Sequence, residues 1–216
     1  KILSAERPVI YAGGGVILGN AHKELITLNK ILKAPVTNTL MGLGAYPAKD
    51  KYFMGMLGMH GTYQANMAMH NADLIIAIGA RFDDRITNTP SMFAPDAKIV
   101  HIDVDPASIS KIINADIPIV GQVKESLLAL IKEIKRSKIK IDSEAVDNWN
   151  MQISKWRAKH GLDHDLYLSK IKPSMIAPQV VVQELYHATQ GNAFITSDVG
   201  QHQMFVAQYY HFNKPR

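Results

Sequence analysis

One segment limits the fold of this chain more than any other, the run DLIIAIGA at residues 73–80. Its apolar residues occupy consecutive positions, so both faces of a strand built from them would be apolar. Such a strand belongs in the centre of a parallel sheet that is covered by helices on each side. The sequence therefore predicts an α/β fold with this segment as a central strand.

Four further short apolar runs predict strands, and helix patterns separate them along the chain. This alternation is typical of a doubly wound, Rossmann-like parallel sheet with right-handed crossovers. The five predicted strands are Pro8–Ala12, 35–39, 73–80, Lys98–Asp103 and Ile117–Val120.

The predicted helices lie between these strands. The apolar residues after Asn20 recur at helical spacing, and the Asn20 side chain is a suitable N-terminal cap for that helix. Residues 41–60, rich in Gly and Met, are predicted to form a long loop. Further helices are expected at 62–71, 106–113 and 123–135.

The character of the sequence changes after residue 136. Residues 137–172 are polar, and Trp149 and Trp156 lie seven positions apart, on one face of a predicted helix. A helix, a strand at 193–197 (AFITS) and a new helix pattern follow, which indicates a truncated C-terminal α/β appendage and a piece of a longer polypeptide. We expect a central domain at 1–136, a helical linker at 137–177 and the start of a further domain at 178–216.

Composition excludes several classes of function. The absence of Cys excludes disulfide scaffolds, thiolate zinc sites and iron–sulfur clusters. The net charge of +5 is modest, and the basic run at 132–140 lacks interleaved aromatic residues, so we interpret it as a solvated helix end and expect no nucleic-acid partner. No apolar run reaches the roughly 18 residues of a membrane span, and no signal peptide is visible. We expect a cytoplasmic protein with no membrane partner.

Ligands of open α/β sheets bind at the carboxyl ends of the strands. The loop at 13–19 (GGGVILG) offers backbone N–H groups that suit a diphosphate, but its spacing differs from GxGxxG, so a plain turn is an equal alternative. Asp103 ends a strand and could accept hydrogen bonds from ribose hydroxyls, whereas Asp105 is better placed to cap the next helix.

Charged residues crowd the loop that follows the central strand. Arg81 and Arg85 in RFDDR carry guanidinium groups that suit a phosphate or a carboxylate, and a surface ion-pair cluster is the alternative. His60 lies in a Gly-rich loop where the backbone could approach a flat ligand. Residues 200–203 open a helix and could hold a phosphate or form a simple turn. No metal site and no Ser-His-Asp arrangement are predicted.

Five motifs stand out along the chain: TLMGLG at 39–44, LGMHGT at 57–62, GARFDDR at 79–85, HIDVD at 101–105 and VGQHQM at 199–204. Together they resemble the catalytic subunits of acetolactate synthases, a family of thiamine-diphosphate enzymes. In that family a first domain supplies the glutamate that activates thiamine, a central doubly wound domain binds FAD, and a third binds the diphosphate and Mg²⁺. The resemblance implies that this chain holds the central domain, the linker and the opening of the third domain.

The resemblance also implies roles for individual residues. Gln201 and His202 match positions near thiamine diphosphate, Asp84 and Arg85 match the substrate channel, and Arg85 would meet the ketoacid carboxylate. Gln122 stands where relatives often have Asp, so only a backbone contact is expected there. The implied FAD contacts are Gly14, Thr39, Leu40, Leu57, Gly58, Met59, His60, Gly79, Ala80, Arg81, Phe82, Asp83, Asp103, Val104, Gln122 and Val123.

The implied reaction joins pyruvate to a second 2-ketoacid, pyruvate or 2-ketobutyrate, with loss of CO₂, in branched-chain amino-acid synthesis. The implied partners are copies of the same chain and a small regulatory subunit. Because the activating glutamate and the metal-binding segment would lie elsewhere, we expect no catalytic residue within these 216 residues and no activity from them alone. Two alternatives are another flavin-containing thiamine enzyme, such as a pyruvate oxidase or glyoxylate carboligase, and a non-catalytic nucleotide-binding module.

Overall fold

The sheet in this computed structural model, which describes residues 1–162 and 174–215, is parallel throughout. Within these residues it contains six strands in the order β3-β2-β1-β4-β5-β6, which is the doubly wound order with a topological switch point between β1 and β4. The α/β prediction is therefore confirmed. The strands are β1 Pro8–Ala12, β2 Val36–Asn38, β3 Phe53–Met56, β4 Leu74–Ile78, β5 Lys98–Asp103 and β6 Ile117–Val120.

The prediction of five strands was wrong, because β3 lies within the stretch that we expected to be a loop. Its sequence, FMGM, includes Gly55 with a φ of +93°, a backbone conformation that weakens any strand signal. The strand pairs with β2 at Val36 and Asn38, and the register shifts between those two positions. Pairing with a regular neighbour thus stabilises a segment whose own sequence favours a loop.

Helices cover both faces of the sheet. Ile10 and Ile76 point to one face, and Val9 and Ile75 point to the other, all of them fully buried. This arrangement explains why the central strands are apolar on both sides. The helices are α1 Gly14–Leu18, α2 His22–Leu32, α3 Tyr63–Asn71, α4 Asp84–Thr87, α5 Val123–Arg136, α6 Ser143–His160, α7 Pro178–Thr189 and α8 Gln201–Tyr209.

Two local predictions about helices were wrong. Asn20 does not cap α2, since Ala21 is the capping residue and Asn20 itself has a φ of +49°. Residues 106–113 form turns rather than a helix. The Asp105 carboxylate accepts hydrogen bonds from the Ala107 N–H and the Ser108 hydroxyl, both at 2.9 Å. These bonds stabilise a turn that is not continued as a helix.

The predicted strand at 193–197 does not form. Phe194 is 88% exposed, and within the described residues 174–215 no strand lies beside this segment. An isolated strand leaves its backbone groups without partners, so a strand pattern is not sufficient to form one. Helices α7 and α8 instead pack together around Tyr186 and Tyr210, whose rings meet edge to face at 5.3 Å.

The carboxyl-terminal segment also contacts the central sheet domain. The Gln208 side chain donates to the His60 carbonyl at 2.8 Å, and the Ala48 N–H donates to the Phe212 carbonyl at 3.1 Å. The last residues of the described chain therefore lie against the loops at the carboxyl edge of the sheet.

Helix α6 carries both tryptophans on one face, as predicted, and packs against α3. The two indole rings meet edge to face at 5.7 Å. Trp149 is buried and its Nε1–H donates to the Pro8 carbonyl at the start of β1, at 3.2 Å. The rest of the predicted linker, residues 163–173, lies outside the described residues. None of the described helices is long and apolar enough to span a bilayer.

We expect Trp149→Phe to lower the free energy of unfolding by about 2 kcal/mol, because it removes buried contacts and the donor to Pro8. Trp156→Phe is the matched control: it removes the same atoms from the same helix, but the Trp156 indole makes a ring contact and no hydrogen bond to any residue that the structure describes. The control should cost about half as much or less. Urea denaturation followed by circular dichroism measures both, and equal losses would contradict the assigned hydrogen bond.

Candidate functional site

A cavity of about 510 Å³ opens at the carboxyl ends of β1, β2 and β4, beside the switch point of the sheet. This is where an open α/β sheet binds its ligands. The loops that follow four strands contribute to it. Its lining consists of Gly14, Gly15, Leu18, Thr39, Leu40, Met41, Met56, Leu57, Met59, His60, Gly79, Ala80, Arg81, Asp83, Arg85 and Ile86.

The loop between β1 and α1 lies in backbone contact with the end of β4. A Cβ atom on Gly15 would come within 2.7 Å of the Gly79 Cα, so no side chain fits there. The Gly15 N–H donates to the Gly79 carbonyl and the Gly13 N–H to the Ile78 carbonyl, both at 2.9 Å. Because these N–H groups already have acceptors, the loop offers fewer donors to a diphosphate than its glycines predicted.

Gly14 faces the cavity itself. A Cβ atom at this position would lie 3.1 Å from the Cβ of Met41, across a narrow part of the wall. Met41 belongs to the turn after β2, where the Thr39 hydroxyl accepts a hydrogen bond from the Gly42 N–H at 3.0 Å. That cap fixes Leu40 and Met41, whose side chains are 41% and 55% exposed, at the cavity wall.

The loop after β3 is held to α3 and α4 by its backbone. Gly58 has a φ of +95°, and the Asn66 side chain both accepts from its N–H, at 2.8 Å, and donates to its carbonyl, at 3.0 Å. The next N–H, that of Met59, donates to the Arg85 carbonyl at 2.9 Å. The loop that carries His60 and the helix that carries Arg85 therefore form one wall of the cavity.

The charged loop after β4 brings a cation to this wall. The Arg81 side chain is 75% exposed and its guanidinium contacts the Asp83 carboxylate at 3.1 Å. Asp83 also caps α4 by accepting from the Arg85 N–H. Its side-chain hydrogen bond with Asp84 and the bond from Arg85 lower the pKa of Asp83, so it stays ionised beside Arg81. The loop therefore holds an exposed ion pair, and this ion pair borders the cavity.

Phe82 is the exception in this loop. Its side chain is 3% exposed and points into the core, where it lies 5.6 Å from Tyr11 and 5.3 Å from His101, measured between ring centroids. Any contact that Phe82 makes with a ligand would come from its backbone. Gly58, likewise, lies behind the wall rather than on its surface.

Four further predicted residues lie along the same edge of the sheet but outside this cavity. Asp103 ends β5 and accepts a hydrogen bond from the Asp105 N–H at 2.9 Å. Val104 is 55% exposed beside it. Gln122 and Val123 begin α5 after β6, and the Val123 side chain is buried. The edge is therefore longer than the cavity and continues past it across β5 and β6.

The residues predicted to approach thiamine diphosphate lie apart from the cavity. Gln201 and His202 are exposed in the first turn of α8. A second cavity, of about 550 Å³, lies between this carboxyl-terminal segment and the β2 loop, and its lining includes Leu40, Gln203 and Tyr210. Asp84 is exposed on α4 and does not line the first cavity, whereas Arg85 does.

Sequence reasoning missed several residues of the wall. Leu18, Met56 and Ile86 line the cavity, and position relative to a strand end is the only signal that could have identified them. Asn66 was missed because its role depends on a contact across eight residues. Within residues 1–162 and 174–215, no group of three or more His, Cys, Asp or Glu side chains could hold a metal ion.

Comparison with known proteins identifies relatives along the whole chain. Residues 1–130 match the family model described as thiamine pyrophosphate enzyme, central domain. The acetolactate synthase isozyme 3 large subunit of Escherichia coli (strain K12) is 47% identical over 215 residues, which is 100% of this chain and 37% of that protein. The acetolactate synthase large subunit of Buchnera aphidicola subsp. Schizaphis graminum is 49% identical, with 100% and 36% covered. Acetolactate synthase 1, chloroplastic, of Nicotiana tabacum is 42% identical, with 100% and 31% covered.

We expect Gly58→Ala to destabilise the protein by about 1–3 kcal/mol, because Gly58 has a positive φ and an added Cβ would lie 2.6 Å from the Arg85 carbonyl oxygen. Gly121→Ala is the control, since its Cβ would meet only the rotatable Ser126 hydroxyl at 3.2 Å, and we expect a change within about 0.5 kcal/mol. Chemical denaturation measures both. A Gly58→Ala protein as stable as the control would show that the loop does not need this close approach.

Proposed function

We propose, from the premise that this chain belongs to the thiamine pyrophosphate enzyme family, that it is the FAD-binding part of an acetolactate synthase large subunit. The observation that carries the proposal is the convergence of ten of the sixteen implied FAD contacts on one cavity at the switch point of the sheet. The chain spans about a third of the length of the curated relatives it matches, at 37%, 36% and 31% of three of them. The activity of the whole enzyme is therefore part of the proposal.

The residues of the edge fit a dinucleotide. Leu40, Met41 and Met59 offer apolar surface to the rings of FAD, and the Arg81 guanidinium offers charge to its diphosphate. Gly14 leaves a gap that a Cβ atom would narrow. Asp103 lies farther along the edge, where a carboxylate can accept hydrogen bonds from ribose hydroxyls. An elongated ligand would thus run from the cavity toward β5.

The resemblance to acetolactate synthases implies an FAD that does no net redox work, so the task proposed for these residues is to bind and orient it. The apolar wall excludes water from the bound rings, and the ion pair with Asp83 holds Arg81 at the rim. Asp83 remains an acceptor because its pKa is lowered, which keeps the guanidinium oriented at neutral pH.

The proposed substrates are two 2-ketoacids, which condense with loss of CO₂. Arg85 is the residue of this chain that we assign to the ketoacid carboxylate, because a guanidinium can form two parallel hydrogen bonds with it. Its backbone carbonyl is fixed by the Met59 N–H, and it borders the FAD cavity. Asp84 lies next to it on the exposed surface of α4 and would border the substrate channel.

Thiamine diphosphate would supply the carbanion chemistry of the condensation. Gln201 and His202 are the residues here that we assign to its site, and they are too few to hold it alone. The described residues also contain no acidic cluster for Mg²⁺. We infer that the rest of this site comes from parts of the longer relatives that have no counterpart in these 216 residues.

The relatives named as large subunits support a small regulatory subunit as a partner of the whole enzyme. Association of several catalytic subunits and a cytoplasmic location remain predictions from the sequence and its resemblance.

We expect the purified chain to bind FAD, with a shift of the visible absorption spectrum and quenching of flavin fluorescence. Arg81→Ala should weaken binding about tenfold, because it removes a charge-assisted contact to the diphosphate. Arg136→Ala is the control, since Arg136 is an equally exposed cation on α5 whose partner, Glu133, lies on the same helix. Failure of the unaltered chain to bind FAD would overturn the proposal, and equal effects of the two substitutions would overturn the assignment of Arg81.

We further expect no acetolactate from pyruvate when these 216 residues are supplied with thiamine diphosphate, Mg²⁺ and FAD. A colorimetric assay for acetolactate measures the product, and a full-length relative, the Escherichia coli isozyme 3 large subunit, serves as the positive control. Acetolactate formed by the 216-residue chain alone would contradict our assignment of the catalytic groups to other parts of the enzyme.

A further inference from the structure

Two consecutive backbone carbonyls at the end of β4 each accept a hydrogen bond from a buried side chain. His101 Nε2 lies 3.0 Å from the Ala80 carbonyl oxygen, and the Tyr11 hydroxyl donates to the Arg81 carbonyl at 2.8 Å. Tyr11 comes from β1 and His101 from β5, the two neighbours of β4 in the sheet. Both residues are fully buried, so neither can touch a ligand in the cavity.

The bonded carbonyls belong to a backbone that would otherwise have several conformations open to it. Gly79, which has a φ of +54°, immediately precedes them and permits conformations that other residues avoid. Regular pairing of β4 ends at Ile78, and Gly79 still donates its N–H to the Ile102 carbonyl at 2.8 Å and accepts from the Gly15 N–H at 2.9 Å. The direction in which the chain leaves the sheet is therefore set by contacts made after the strand, and these two bonds are among them.

The Phe82 side chain packs against both donor side chains. Phe82 lies edge to face against the His101 ring, with an interplanar angle of 86°, and tilted against the Tyr11 ring. Arg81 and Phe82 are consecutive, and Phe82 is anchored in the core while the Arg81 side chain is exposed at the rim. Phe82 thus anchors in the core the backbone next to Arg81.

The hydrogen bond of His101 defines the tautomer of its imidazole ring. A carbonyl can only accept, so Nε2 carries a proton, and in the neutral ring Nδ1 is bare, with no hydrogen-bond partner among the described residues. Burial lowers the pKa of His101, and the nearby Asp103 carboxylate acts in the opposite direction without reversing the effect. Burial also raises the pKa of Tyr11, so its hydroxyl remains a donor.

We propose that Tyr11 and His101 are positioning residues, which fix the Ala80–Arg81 backbone through its carbonyls and so aim the Arg81 guanidinium along the cavity rim. The inference rests on the proposed FAD site. It goes beyond it by assigning part of the affinity for FAD to two side chains that lie beneath the cavity and make no contact with it.

The test compares variants that keep or remove each donor. Tyr11→Phe removes the hydroxyl and keeps the ring against Phe82. His101→Leu removes the donor, whereas His101→Gln keeps an N–H that can reach a carbonyl. Thr37→Val is the matched control, since the Thr37 hydroxyl is also fully buried in the sheet and donates to a backbone carbonyl, that of Gly55 at 2.8 Å, away from the Arg81 loop.

Titration with FAD, followed by flavin fluorescence, gives the first readout. We expect Tyr11→Phe and His101→Leu each to weaken FAD binding about fivefold to tenfold, and His101→Gln to restore most of the affinity. Thr37→Val should bind FAD like the unaltered chain, although it loses a comparable amount of unfolding free energy. The proposal would be overturned if the loss of FAD affinity in each variant simply followed its loss of unfolding free energy, so that Thr37→Val bound FAD as weakly as Tyr11→Phe.

The second readout uses the chain without FAD, so it separates this inference from the proposed function. Nitrogen-15 NMR of the imidazole should show the Nε2–H tautomer for His101, and Tyr11→Phe should shift the Arg81 carbonyl carbon and speed hydrogen exchange at residues 80–83. If these changes occur but neither the unaltered chain nor any variant binds FAD, the result overturns the proposed FAD site and supports the positioning of Arg81. An Nδ1–H tautomer, or an unchanged Arg81 carbonyl in Tyr11→Phe, would overturn the positioning.

Discussion

The close backbone approach between the β1–α1 loop and the end of β4 is the constraint on which the rest of the carboxyl edge depends. Gly15 and Gly79 meet without side chains between them, and the Gly15 N–H bonds directly to the Gly79 carbonyl. The ends of β1 and β4 therefore lie side by side, with β2 on the other side of β1 and β5 on the other side of β4. The cavity opens on the β2 side of that junction, which is why its wall draws on loops distant in sequence.

Two of those loops behave as one structural unit. The loop after β3 and the helix α4 are joined by the bond from the Met59 N–H to the Arg85 carbonyl, and Gly58 permits the approach. Arg81 lies in the segment that leads into α4, and its backbone is held from the core side of the loop by the hydrogen bonds of Tyr11 and His101. The groups that face a ligand therefore project from a backbone whose position is already fixed, which reduces the entropy lost on binding.

Sequence predicted the regular core well, because its signals are local. The bounds of β1, β5 and β6 agree with their apolar runs, and the cavity lies at the strand ends where the α/β rule assigns ligands. The errors lie where distant contacts decide: β3 forms only beside β2, and the strand expected at 193–197 has no neighbour in the described chain. Tyr11 and His101 could not be identified in advance, since an apolar strand gives no sign of which carbonyl its polar atoms will meet.

Leu40 lies in the wall of both the 510 Å³ and the 550 Å³ cavity, with the central-domain loops on one side and the carboxyl-terminal segment on the other. A ligand that shifts the Leu40 side chain from one side would change the shape of the cavity on the other side. Thermodynamic linkage then requires each ligand to change the affinity for the other by the same factor. Leu40 is thus the residue through which binding in one cavity would be coupled to binding in the other.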